Sequence, residues 1–95
     1  MHIEVVRQGG IAGVTLRGAI DTEDLPHDLT REVATAVHNL PFDRPPSSPQ
    51  HPDSFQYQIT ITQGGTPRSI ILDEAQVPSG LRPALDAAVA RGHLD

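Results

Sequence analysis

Two stretches of this chain follow one pattern written twice, and that repetition limits the fold more than any other feature. The first is Val5-Val6-Arg7-Gln8-Gly9-Gly10, an apolar segment, Asp21, Leu25-Pro26, then an apolar-periodic run from Leu29 to Val37. The second is Ile59-Thr60-Ile61-Thr62-Gln63-Gly64-Gly65, then Ile70-Ile71-Leu72, Asp73, Val77-Pro78, and Leu81 to Val89. From Asp21 onward the copies stay in register: Asp21, Pro26, Leu29, Val33 and Val37 match Asp73, Pro78, Leu81, Leu85 and Val89. Only the hairpin is longer in the first copy. A Gly-Gly turn between extended runs, followed by a helix, is a complete ββα unit, and two such units can share one sheet and one core.

The expected fold is therefore α+β: a ββα-ββα internal repeat forming a four-stranded, mainly antiparallel sheet with two helices on one face. His2–Arg7 reads as a strand, and Val14, Leu16 and Ile20 share the inner face of the next, with Gly18 interrupting the row and marking a bulge. Asp21-Thr22-Glu23-Asp24 and Pro26 are helix-start residues. Phe55, Tyr57, Ile59 and Ile61 alternate with Gln56, Gln58, Thr60 and Thr62, so one face of that strand is buried and the other wet. Arg68 to Asp73 returns as a fourth strand. Ser79 to about Arg91 is the second helix, with Pro83 in its first turn and Gly92 as its stop. The predicted inward set is Val5, Leu16, Ile20, Leu29, Val33, Val37, Tyr57, Ile59, Ile61, Leu72, Leu81, Leu85 and Val89.

Ninety-five residues suit one domain, 1–95, with units at about 1–40 and 55–92. Between them residues 41–54 carry Pro41, Pro45, Pro46, Pro49 and Pro52 among small and polar residues, the composition of an extended, mobile joining loop. Phe42, Phe55 and Tyr57 are the only aromatics, so the core must be aliphatic.

The charge balance narrows the partners. A formal charge of −5 with no lysine argues against nucleic acid, whose phosphates need clustered cations. The absence of cysteine removes disulfides, thiol nucleophiles and Cys-type zinc sites. The start, Met-His-Ile-Glu-Val-Val-Arg, lacks the basic and apolar regions of a signal peptide. No apolar run approaches the roughly 18 residues of a membrane span. The expectation is a leaderless cytoplasmic protein, although export by other routes leaves no mark in a sequence.

Chemistry is sparse. His2, His27, His38, His51 and His93 fall on different elements without metal-ligand spacing, so no metal or other cofactor is expected. Asp21, Glu23, Asp24 and Asp28 lack the spacing and central glycine of a calcium loop and suit a helix start. No serine sits in a nucleophile elbow, and each Gly-Gly precedes a strand rather than a phosphate-binding helix. These features describe a binding protein rather than an enzyme.

The N-terminal third is more specific. Ile3 to Thr15, with Arg7-Gln8-Gly9-Gly10-Ile11-Ala12-Gly13, then Asp21-Thr22, Leu25-Pro26, Phe55-Gln56-Tyr57, Val77-Pro78 and Leu81-Arg82-Pro83, resembles the emfourin family. The family comprises small bacterial inhibitors of thermolysin- and protealysin-like zinc metalloproteases. Ile11 stands where the family usually has an aromatic, and Leu16 where a basic residue is commoner. The resemblance implies a non-enzymatic, monomeric protein that binds such a protease and blocks its active-site cleft. The candidate protease-binding residues are then Gln8, Gly9, Gly10, Ile11, Ala12 and Gly13. Ile11 fits either as an apolar anchor in the cleft or as a residue packed inward. The alternative function is an interaction or adaptor module using the polar sheet face of Gln56, Gln58, Thr60 and Thr62.

Overall fold

The computed structural model describes residues 1–9, 13–42 and 54–94. In chain order these form β1 (His2–Gly9), β2 (Leu16–Asp21), a 3-10 turn (Thr22–Asp24) and α1 (His27–His38). Then follow β3 (Phe55–Gln63), β4 (Thr66–Asp73), 3-10 turns at Glu74–Gln76 and Ser79–Leu81, α2 (Arg82–Ala90) and β5 (His93–Leu94). The fold class is α+β, with a sheet in the order β4-β3-β1-β2-β5 and every pairing antiparallel. The four long strands are those expected; the two-residue β5, too short to carry a periodic signal, extends the sheet beyond β2.

Register explains why the helices share a face. Ile3 lies between Ile20 and Ile61, Val5 between Gly18 and Ile59, and Tyr57 and Ile59 oppose Leu72 and Ile70. Alternation therefore sends all these apolar residues to one side. They join Val33, Ala36, Val37 and Leu40 of the α1 segment and Leu81, Ala84, Leu85 and Ala88 of the α2 segment in a single buried cluster. The other face carries exposed Glu4, Arg17, Ala19 and Gln58.

Several local expectations are corrected. Leu16, Leu29 and Val89 are half-buried rather than fully buried, although Leu16 does lie on the inner face, opposite Arg7. The Asp21–Asp24 segment makes a 3-10 turn, and α1 begins only after Pro26; likewise Ser79–Leu81 is 3-10 and α2 starts at Arg82. Thr22 explains the first offset: it is buried, its N–H donates to the Met1 carbonyl at 3.0 Å, and its carbonyl accepts from the Thr30 hydroxyl at 2.7 Å. The chain is thus pinned before the helix begins.

Gly18 marks no bulge. It pairs in unbroken register with Val5, and a Cβ there would lie 2.0 Å from the Ala88 carbonyl oxygen. Its role is to let α2 settle on β2. Gly92 works similarly, since a Cβ there would fall 2.3 Å from the Arg17 carbonyl oxygen. The joining-loop expectation for 41–54 falls largely on 43–53, outside the described residues.

Candidate functional site

The candidate residues gather where β1 ends and β2 and β3 begin. The last β1–β2 pair is Arg7 with Leu16, yet β1 runs on beside β3, pairing Gln8 with Gln56 and Gly9 with Phe55. Gln8 is exposed. Gly9 has φ +94°, and a Cβ on it would lie 2.7 Å from the Ser54 carbonyl oxygen. Both the backbone angle and the close approach demand glycine there. Gly13 also has positive φ, +65°, but faces open space. Gly10, Ile11 and Ala12 lie outside the described residues, so the structure places the two flanks of the candidate segment and not its centre.

Sequence reading missed the surroundings of this root. The Arg7 guanidinium lies over the Phe55 ring, 4.3 Å from its centroid. The Phe55 N–H donates to Glu74 Oε1 at 3.1 Å, and Arg82 Nη2 donates to the Glu74 carbonyl at 2.8 Å. Glu74 therefore links the start of β3 to the start of α2. Beside it, the buried Asp73 carboxylate accepts from the Ala75 N–H at 3.1 Å while Gln76 Oε1 accepts from the Asp73 N–H at 3.2 Å, a reciprocal cap. The signal available in the sequence was Phe55, one of three aromatics, placed just after the proline-rich stretch. Val14, 44% exposed, is the exposed large apolar side chain among the described residues, and it follows Gly13 directly. A single such side chain is ordinary elsewhere, but here it adjoins a glycine-flanked loop.

The opposite end of the sheet is built differently. Gly64 and Gly65, at φ +67° and +85°, close β3 onto β4 in a two-residue turn beneath the Gln63–Thr66 pair. Arg68 stacks on Phe42 there, 4.0 Å from the ring centroid. The alternative surface, the open sheet face, exposes Gln58 opposite Val6, while Gln56, Thr60 and Thr62 are half-buried and the Thr60 and Ser69 hydroxyls meet at 2.9 Å.

The histidines are dispersed. His2 contacts Asp21 at 3.0 Å and Glu4 at 3.4 Å on the open face, His27 and His38 sit at opposite ends of α1, and His93 lies on β5. His51 is outside the described residues. Among the described residues no three His, Asp or Glu side chains converge as metal ligands. The hairpin root offers backbone groups, apolar surface and one stacked cation, which suits binding.

The sequence profile of the Emfourin family matches residues 5–88. The chain belongs to the Emfourin family. That span runs from within β1 to near the end of α2, so the match takes in β2, β3, β4, α1, most of β1 and α2, and the whole candidate hairpin, leaving β5 outside. Membership suggests a metalloprotease-inhibitor role and, with it, a non-enzymatic protein that binds a protease. No curated protein matches the chain, and no solved structure does. No described helix is long and apolar enough to cross a membrane.

Proposed function

We propose that this protein is a reversible inhibitor of thermolysin- or protealysin-like zinc metalloproteases, acting as a monomer of one domain that blocks the active-site cleft. Family membership over residues 5–88 is the observation that carries this reading. In the proposal the segment Gln8–Gly13 enters or rims the cleft, with Ile11 as its apolar anchor. The braced root supports that assignment. Gly9 is fixed against Ser54, and Glu74 ties β3 to α2, so the loop leaves a rigid base and loses less freedom on binding. The positive φ at Gly9 and Gly13 keeps bulky side chains off the flanks and permits close backbone approach. A bacterial cytoplasmic setting accompanies the reading.

The direct test titrates thermolysin and protealysin with the purified chain and a generic peptide substrate. Loss of activity near one inhibitor per enzyme is expected. An adaptor that docks through Gln56, Gln58, Thr60 and Thr62 would leave both enzymes active.

A further inference from the structure

We propose that Arg7, held over the Phe55 ring, receives a carboxylate of the partner protease beside the hairpin. The inference rests on the inhibitor reading and adds the chemistry of one contact to it. Arg7 follows Ile3 and Val5 on the helix-bearing face of β1, opposite Leu16 and Tyr57, and is half-buried. The guanidinium carbon lies over the ring, 4.3 Å from its centroid, a cation–π contact that makes no use of the group's N–H donors. No side-chain nitrogen among the described residues is buried without a hydrogen-bond partner, so those donors reach solvent.

Among the described residues, the acids at this end already accept hydrogen bonds. Glu74 Oε1 takes the Phe55 N–H and Asp73 takes the Ala75 N–H. By contrast Arg91, at the C-terminal end of α2, stands 3.5 Å from Asp24. Among the described residues Arg7 has no carboxylate partner, although acids outnumber bases, 12 to 7, in the whole chain. A guanidinium offers a planar fork that suits a bidentate carboxylate, and contact with the ring lowers the freedom that binding would otherwise have to restrict. Val14, exposed, adds an apolar side chain to the same hairpin.

The bland explanation is that arginine on phenylalanine only steadies the fold. The protein contains its own control, since Arg68 stacks on Phe42 at 4.0 Å by the Gly64-Gly65 turn. If stacking alone mattered, the two arginines would behave alike.

The experiment measures inhibition constants against thermolysin and protealysin at low and high salt, with thermal unfolding of each variant. Arg7→Met, which keeps an apolar stem over the ring, is expected to weaken inhibition tenfold or more at low salt, with a smaller gap at high salt. Arg7→Lys should lose most of that factor because an ammonium lacks the fork. Arg68→Met should inhibit as the unaltered chain does. Should Arg7→Met fail to fold, Arg7→Lys carries the test, and a loss below twofold would refute the contact. Equal inhibition by Arg7→Met and the unaltered chain, or equal losses for Arg7→Met and Arg68→Met, would overturn the proposal while the inhibitor reading stood. If the unaltered chain inhibits neither enzyme, the inhibitor reading fails and this contact with it.

Discussion

The two hairpins of this protein reverse the chain by different means. β3 and β4 are joined by Gly64 and Gly65 alone, and pairing continues to the residues that flank them. β1 and β2 stop pairing at Arg7 and Leu16, leaving residues 8–15 between, with Gln8 and Gly9 held by β3 instead. A two-residue turn is all that antiparallel pairing requires. The additional length of the first hairpin is therefore chain that the sheet does not need. Its root is nonetheless the more heavily braced of the two, through Gly9 on Ser54, Arg7 on Phe55, and Glu74 between β3 and α2. Extra length on a fixed base is what a binding loop demands.

The halves also differ inside, where the sequence makes them look alike. Leu29 and Leu81 hold the same place in the repeated pattern, yet Leu81 is fully buried and Leu29 only half so. Leu81→Ala should cost about 2–5 kcal/mol in denaturant unfolding, and Leu29→Ala about 1 kcal/mol. Equal losses would show that the halves are energetically equivalent. Gly18→Ala comes next, at about 1–3 kcal/mol, because its new methyl would drive into the α2 backbone. An unchanged unfolding midpoint would mean that α2 does not sit on β2 as described.

The smallest effect separates the two aspartates. Asp73 is buried and caps its 3-10 turn, so Asp73→Ala should lose about 1–2 kcal/mol. Asp21 makes no such cap and, among the described residues, its carboxylate meets His2 at an exposed site, so Asp21→Ala should stay within about 0.5 kcal/mol. Matching losses by thermal unfolding would restore the equivalence that the sequence implies.

These pairs show where sequence reading succeeds and where it stops. The alternation through Phe55–Gln63 and the Gly-Gly turn were legible because strand period and positive φ are local properties. Gly18 was misread as a bulge because its reason lies in Ala88, seventy positions away along the chain. The late starts of α1 and α2 were hidden for a related reason: acidic residues favour any helical turn, and only the bonds around Thr22 decide which kind forms. Ala84, fully buried, escaped the predicted core because alanine carries little apolar signal of its own. At the site, glycine spacing gave the flanks of the loop, whereas Arg7, Phe55 and Glu74 are neighbours only once β1 lies against β3.

The claim that the longer hairpin is the inhibitory element meets its most direct test in one titration. Thermolysin-type enzyme is titrated with the unaltered chain, Ile11→Ala and Gly64→Ala, and the folding stability of each is recorded. Truncating an anchor that fills a desolvated pocket removes about 2 kcal/mol or more, so Ile11→Ala should raise the inhibition constant at least tenfold with its stability unchanged. Gly64→Ala, forced into a left-handed turn conformation, should lose about 1 kcal/mol of stability and inhibit normally. The opposite pattern, with Ile11→Ala destabilised yet inhibiting fully, would make Ile11 a core residue and contradict the assignment of the hairpin.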